Sequence, residues 1–384
     1  MLLIKNGHIK TMAGPEMENG AVLIGDDGKI IAVGTDLAAP AGAQVIDAEG
    51  RLVTPGCVEA HCHVGIHEAT LRWEGNDVNE KSNPITPHMR AIDGISPQDE
   101  YLADALTGGV TTACVGPGSA NVVAGTFAAI KMYGSRIENM IVKDPVAMKC
   151  AFGENPKSSY GQSGKKAPVT RMATASLLRE LLAKSKQYAE DKDAGKSPKF
   201  DIKLEAMLPV MRGEIALKAH AHRADDILTA VRIAKEFGVK LTLDHCTDGK
   251  RIAKELAEEG YPVLLGPTLT GRGKPELMNQ GFDTAARLYE AGVRGMCVIS
   301  DAPVTPLEHL PMYAGLAASE GLPMEEAWRA ITINPATVMG IADRVGSLEP
   351  GKDGDVVIWT ADPLTTVGGA AYITIVDGKV VYQA

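Results

Sequence analysis

The sequence predicts an α/β protein: a distorted (β/α)8 barrel over residues 55–344, with a small β-sandwich domain built from both chain ends, residues 1–54 and 345–384. Three observations predict it. Both ends read as short β-rich runs broken by turn formers. Between them, apolar runs of about five residues alternate with stretches of helical periodicity, the pattern of repeated βα units around a parallel sheet. Polar residues, above all histidines, terminate several of those apolar runs.

At the N-terminal end, Leu2 to Ile4, Ala21 to Ile24, Ile30 to Val33 and Gln44 to Asp47 are punctuated by Asn6-Gly7, Asp26-Asp27-Gly28 and Glu49-Gly50. Such runs and turns make small antiparallel strands and hairpins. The same texture returns only in Asp355-Val-Val-Ile-Trp and Ile373-Thr-Ile-Val-Asp-Gly-Lys-Val-Val-Tyr, so the two ends are expected to share one β-domain. The barrel strands are expected at Val58 to His63, Val110 to Val115, Phe127 to Met132, Val146 to Phe152, Ile215 to His220, Val239 to His245, Val263 to Gly266 and Gly295 to Asp301. Apolar residues at i, i+3 and i+4 mark helices at Ala224 to Phe237, Gly249 to Glu258 and Thr284 to Ala291, with two more at Met324 to Thr332 and Pro335 to Ile341. From Glu154 the chain is rich in Lys, Ser and Gly before turning charged and helical towards Phe200, and its first part is expected to be a mobile loop over the barrel mouth.

With 384 residues of which 45% are hydrophobic, the chain can bury a sizeable core. A net charge of -9 without any basic block excludes nucleic acid and anionic membranes as natural partners and leaves small molecules. Cys57, Cys62, Cys114, Cys150, Cys246 and Cys297 are scattered through apolar contexts with no Cys-x-x-Cys pair, which reads as buried free thiols in a reducing compartment. Neither a signal peptide nor a membrane-spanning run is legible, so a cytoplasmic protein is expected, and a homo-oligomer is the expected assembly.

Catalysis in such barrels sits at the carboxyl ends of the strands. Thr54-Pro-Gly-Cys-Val-Glu-Ala-His-Cys-His-Val-Gly runs straight into His61 and His63, whose i, i+2 spacing on a strand converges two imidazoles on one point. The fifth apolar run ends in Lys218-Ala-His-Ala-His, the sixth in Leu243-Asp-His-Cys and the eighth in Ile299-Ser-Asp-Ala-Pro. A lone histidine or aspartate at a strand end is usually a hydrogen-bonded or capping residue. Five of only 9 histidines at three strand ends, with Asp301 at a fourth, point instead to a metal site.

These residues carry a resemblance. The order His-x-His, His, His, Asp, with Leu3-Ile-Lys-Asn-Gly, Val53-Thr-Pro-Gly, Ala219-His-Ala-His, Asn334-Pro-Ala-Thr and Gly346-Ser-Leu-Glu-Pro-Gly-Lys-Asp-Gly-Asp, resembles the metal-dependent amidohydrolase superfamily. The resemblance covers nearly the whole chain and is nearest to the imidazolonepropionase-like and Xaa-Pro or Xaa-Arg dipeptidase-like branches, which have TIM barrels. It implies that His61 and His63 bind a first metal, that His220 and His245 are ligands on strands five and six, and that Asp301 is ligand and general base. Many relatives bridge two metals with a carboxylated lysine on strand four, a role open here to Lys149 or to Glu154; if neither binds, the site is mononuclear. Zinc is the expected ion, one or two per chain, with manganese or iron as alternatives.

A cation held by neutral imidazoles and carboxylates lowers the pKa of bound water to about 7 and polarises a carbonyl. Asp301 can accept the water's proton and pass it to a leaving nitrogen. His222, two residues beyond His220, is a candidate for orienting substrate, and His222 or His245 would be the base if Asp301 is not. Arg272 and Lys274 after strand seven, and Arg171 with Lys157 after strand four, suit a substrate carboxylate. His67, Glu68, Arg72 and Tyr160 are near the mouth with no chemistry assigned. The expected activity is hydrolysis of a C–N bond in a small cyclic amide or imide, an N-acyl amino acid or a dipeptide. The alternatives are a ring deaminase, whose additional glutamate Glu205 and Glu214 do not supply convincingly, and a non-catalytic scaffold, which would be expected to lack the ligands.

Overall fold

The computed structural model describes residues 1–162 and 166–384, and two eight-stranded sheets organise it. The first joins the chain ends: β1 (Leu2–Ile9), β2 (Met17–Ile24), β3 (Ile30–Thr35), β4 (Gln44–Asp47) and β5 (Leu52–Pro55) come from one end. The other end supplies β14 (Val356–Trp359), β15 (Ala371–Val376) and β16 (Lys379–Gln383). Their order is β16-β15-β14-β5-β1-β2-β3, with β4 beside β1, and the ends meet where β5 pairs antiparallel with β14 in the register Val53↔Ile358. Alternation leaves Leu2, Ile4, Val22, Ile24, Val356, Ile358, Ile373 and Ile375 in one apolar cluster of their own. The Asp377-Gly378 turn has φ of 47° and 73°, as a two-residue hairpin requires. Gly28 packs against it so closely that a Cβ there would stand 2.6 Å from the Asp377 carbonyl oxygen.

The second sheet is the barrel: β6 (Cys57–Cys62), β7 (Val110–Val115), β8 (Val123–Lys131), β9 (Ile141–Ala151), β10 (Ala216–Ala221), β11 (Leu241–His245), β12 (Val263–Leu265) and β13 (Cys297–Val298), neighbours in that order. Residues of β6, β7 and β8 are buried without exception, as strands covered on both faces must be. Two expectations need correction. The third strand does not run parallel: β8 pairs antiparallel with both β7 and β9, because the short connections on either side of it leave no room for crossover helices. The eighth strand is only Cys297–Val298, and among the described residues no ladder joins β13 to β6. Glu59 instead closes that seam, accepting from Ser300 N at 2.7 Å and Ser300 Oγ at 2.6 Å, beside a His63 N to Ala302 O bond of 2.7 Å.

The helix Ala224–Phe237 has the expected bounds, buries Ile227, Ala230, Val231 and Ala234, and stops at Gly238 in the left-handed conformation. The stretch after β9 is not simply a loop. Where described it is helical at Glu154–Lys157 and Ser158–Gln162, and Tyr160 is tied to Asn121 Oδ1 at 2.6 Å; residues 163–165 of the expected loop lie outside the described residues. The long helix Arg171–Asp193 follows. Where the two sheets meet, Lys131 at the end of β8 is buried against Asp355 (2.7 Å), Asp353 (2.9 Å) and Asp377 (3.2 Å). All six cysteines are free and buried. Among the described residues, no helix is long and apolar enough to cross a membrane.

Candidate metal centre

The carboxyl ends of β6, β10 and β11 and the chain beyond β13 bring two sets of side chains together: His61, His63 and Asp301, and His220, His222 and His245. Within each set the possible ligand atoms lie within 4.8 Å of one another. The sets adjoin, with ring centroids 5.1 Å apart for His61 and His245; within the second set, those of His220 and His245 are 4.4 Å apart. Asp301 Oδ1 lies 3.1 Å from His63 Nε2 and 3.4 Å from His61 Nε2. The backbone is strained to achieve this. His245, Cys246 and Asp301 hold φ of 72°, 48° and 54°, a region that costs a side-chain-bearing residue of order 1 kcal/mol or more.

Hydrogen bonds fix which nitrogen of each ring is free. His63 Nδ1 lies 2.6 Å from Gly116 O and His245 Nδ1 2.7 Å from Gly266 O. Carbonyls only accept, so both rings donate from Nδ1, which leaves Nε2 of each turned towards the site. His61 Nδ1 is 2.6 Å from Asp244 Oδ2, which orients that ring in the same way. Burial holds His61, His220 and His245 well below the ordinary histidine pKa, with nearby cationic groups adding to it, and burial takes His222 to about 3. All four are neutral imidazoles, the form that binds metals. His245 Nε2 is buried without a hydrogen-bond partner, so a lone pair stands unsatisfied beside the other rings. This donor set fits a divalent cation.

Lys149 on β9 is fully buried, with Nζ 3.1 Å from His61 Nε2, and burial lowers its pKa to about 8 against the pull of Asp244 and Asp301. Glu154, the competing residue, belongs to neither cluster. Its backbone N is bonded to Glu276 Oε2 at 3.1 Å on the helix beyond the strand end. A cavity of about 380 Å³ opens over the histidines and is lined by His63, Lys149, His220, His222, Lys274 and Asp301 among others. Lys274 reaches it, donating to Asn155 Oδ1 at 2.6 Å. Arg272 does not: it is exposed on the Gly271-Arg272-Gly273 turn and is not part of the cavity wall. Arg171 is turned away into Asp226, with Nε 3.0 Å and 3.1 Å from its two oxygens.

Several groups, the first two buried and the third half-buried, escaped the reading of the sequence. Asp244 binds His61 and also Lys218 Nζ at 3.2 Å, Glu59 accepts from His61 N at 2.8 Å, and Asn155 stands 3.3 Å from His220 Nε2. A signal existed. Glu59, Lys149, Lys218 and Asp244 are charged residues inside otherwise apolar strands, and such residues are buried only when paired.

A nearly closed barrel with neutral imidazoles and a carboxylate at its strand ends defines the class of barrel hydrolases. A match to the amidohydrolase family spans residues 225–382. A solved structure from Thermotoga maritima, described as an amidohydrolase, is 40% identical over 100% of both chains with a TM-score of 0.95. Amidohydrolase tasK of Hapsidospora irregularis is 30% identical across 88% of this chain, which spans only 37% of that protein's length. A 5-methylthioadenosine/S-adenosylhomocysteine deaminase of Symbiobacterium thermophilum is 28% identical over 100% of this chain and 93% of its own, and an imidazolonepropionase of Porphyromonas gingivalis 26% over 92% and 85%. The chain belongs to the amidohydrolase family and is a hydrolase acting on C–N bonds.

Proposed function

We propose that the protein hydrolyses an amide-type C–N bond in a small molecule bearing a carboxylate: a cyclic amide or imide, an N-acyl amino acid or a dipeptide. The observation that carries this reading is the convergence of Lys149 Nζ and Asp301 Oδ1 on His61 Nε2, at 3.1 Å and 3.4 Å, beneath an open cavity. His61, His63, His220, His245 and Asp301 would hold one or two divalent cations, zinc before manganese or iron for a set rich in imidazole. Lys149 would join them as a carbamate, since an amine of pKa about 8 is partly neutral near pH 7 and can add carbon dioxide. A bound cation supplies acidification of water and polarisation of the scissile carbonyl.

Asp301 lines the cavity and accepts a proton from the attacking water, then delivers it to the leaving nitrogen. His222, neutral and held by Thr247 Oγ1 at 2.8 Å, presents its ring to substrate. Lys274 offers an ammonium to the substrate carboxylate. We take residues 55–344 as the catalytic barrel and 1–54 with 345–384 as the composite β-domain. Six buried free thiols suit a cytoplasmic location. Ring deamination is the second reading, favoured by the deaminase among the relatives. Zinc-loaded protein screened on dipeptides, N-acyl amino acids, cyclic ureides and purines decides between them: new carboxylate without ammonia supports amide hydrolysis, whereas ammonia released from purines alone refutes it.

A further inference from the structure

Asn155 lies between a group assigned above to the metal and one assigned to the substrate. Its Oδ1 accepts from Lys274 Nζ at 2.6 Å, while its Nδ2 is 2.7 Å from Ser119 Oγ and 3.3 Å from His220 Nε2. An ammonium has protons and no lone pair, so the atom facing Lys274 must be the amide oxygen. That fixes the amide. Its N–H groups point at Ser119 and His220, and His220 Nε2 is the acceptor, a bare lone pair.

A cation on His220 abolishes that acceptor. If the cation takes Nε2, the lone pair is used; if it takes Nδ1, the neutral ring carries its proton on Nε2 and faces the amide N–H with another N–H. Flipping the amide would mend the contact with His220 but turn its N–H groups onto the Lys274 ammonium. The Lys274–Asn155–His220 chain and a metal on His220 are therefore alternatives. Lys274 has somewhere to go: it lines the cavity, and the buried Glu276 Oε1, which has no hydrogen-bond partner, lies 3.8 Å from Nζ and keeps the ammonium at the cavity wall.

We propose that Asn155 couples metal binding to substrate recognition. A cation on His220 displaces the amide and releases Lys274 to a carboxylate in the cavity; by reciprocity, a carboxylate on Lys274 tightens the metal. The coupling rests on the roles given above to His220 and Lys274.

Zinc titrated against a chromophoric chelator, with and without sodium acetate, tests it in the wild type, Asn155→Ala and Lys274→Met. Acetate should tighten zinc in the wild type on the order of tenfold. Asn155→Ala should bind zinc more tightly without acetate and lose most of the acetate effect, and Lys274→Met, whose amide is free to flip, should do the same. Acetate ligating zinc directly would tighten all three alike, so the coupling is the excess in the wild type. Wild-type affinity and wild-type acetate dependence in Asn155→Ala would overturn the coupling. His220→Ala separates the two levels: if it retains full zinc affinity and stoichiometry, the site reading falls and the coupling with it, whereas zinc loss there beside wild-type behaviour in Asn155→Ala overturns the coupling alone.

Discussion

His61 Nδ1 and Asp244 Oδ2 stand 2.6 Å apart with both side chains fully buried, and Lys218 Nζ approaches the same carboxylate oxygen at 3.2 Å. One carboxylate thus orients a candidate ligand and neutralises a buried ammonium. Asp244→Ala should destabilise the fold by about 3–5 kcal/mol in urea melts, because Lys218 is left buried and unpaired. Asp244→Asn keeps the shape, loses the charge and should weaken metal binding ~10- to 100-fold in chelator competition. Wild-type metal affinity in Asp244→Asn would end its role as the orienting partner.

The two bridging candidates give opposite expectations. Lys149→Ala should lose one metal equivalent by elemental analysis, with partial return of metal on adding bicarbonate or a short carboxylate, since Nζ lies 3.1 Å from His61 Nε2. Glu154→Ala should be mild, its side chain belonging to neither cluster. The reverse ranking would transfer the bridge to Glu154, and full metal in both variants would leave no bridging residue.

Asp301→Asn keeps size and one coordinating oxygen but cannot accept a proton. On a confirmed substrate kcat should fall ~10²- to 10⁴-fold with KM little changed and metal content near wild type. Near-normal kcat would move the base to His222 or His245.

The seam between the sheets should show in acid. Burial works to raise the Asp353 carboxyl, but Lys131, Lys29 and Arg344 outweigh it and hold the group at about 2, below its ordinary 3.8. The unfolded chain then binds the proton more readily, so this stabilisation is complete above about pH 4 and is lost as pH falls through the folded value near 2. Urea midpoints of the wild type should drop between pH 4 and pH 2. Asp353→Asn should start lower at neutral pH and run flatter through that window; parallel curves would contradict the assignment.

Much of this was legible in the chain. The turn chemistry of Asp377-Gly378, the helix at Ala224–Phe237 and the apolar runs of β6, β7, β10 and β11 are local patterns that survive into the fold, whereas the turn expected at Asn6-Gly7 does not form: both residues lie inside β1, where Asn6 has a φ of 56° and the pairing with β2 shifts register. The histidines at strand ends were equally plain, because a strand fixes which side chains share a face. Less plain was the direction of β8, since an apolar run reads the same both ways and only the length of its connections betrays a hairpin.

The sequence by itself determined a barrel joined to a β-domain from both chain ends, and five histidines and Asp301 at the strand ends. Only the tertiary structure decided the partners. It set Lys149 against His61 across 88 residues, Asp244 against His61 across 183 and Glu59 against Ser300 across 241, and it left Arg272 outside the cavity while Lys274 entered it. The physical reason is that periodicity is written into neighbouring residues, whereas pairing depends on which strand ends converge when the sheet curls, and a buried charge finds its counter-charge only there.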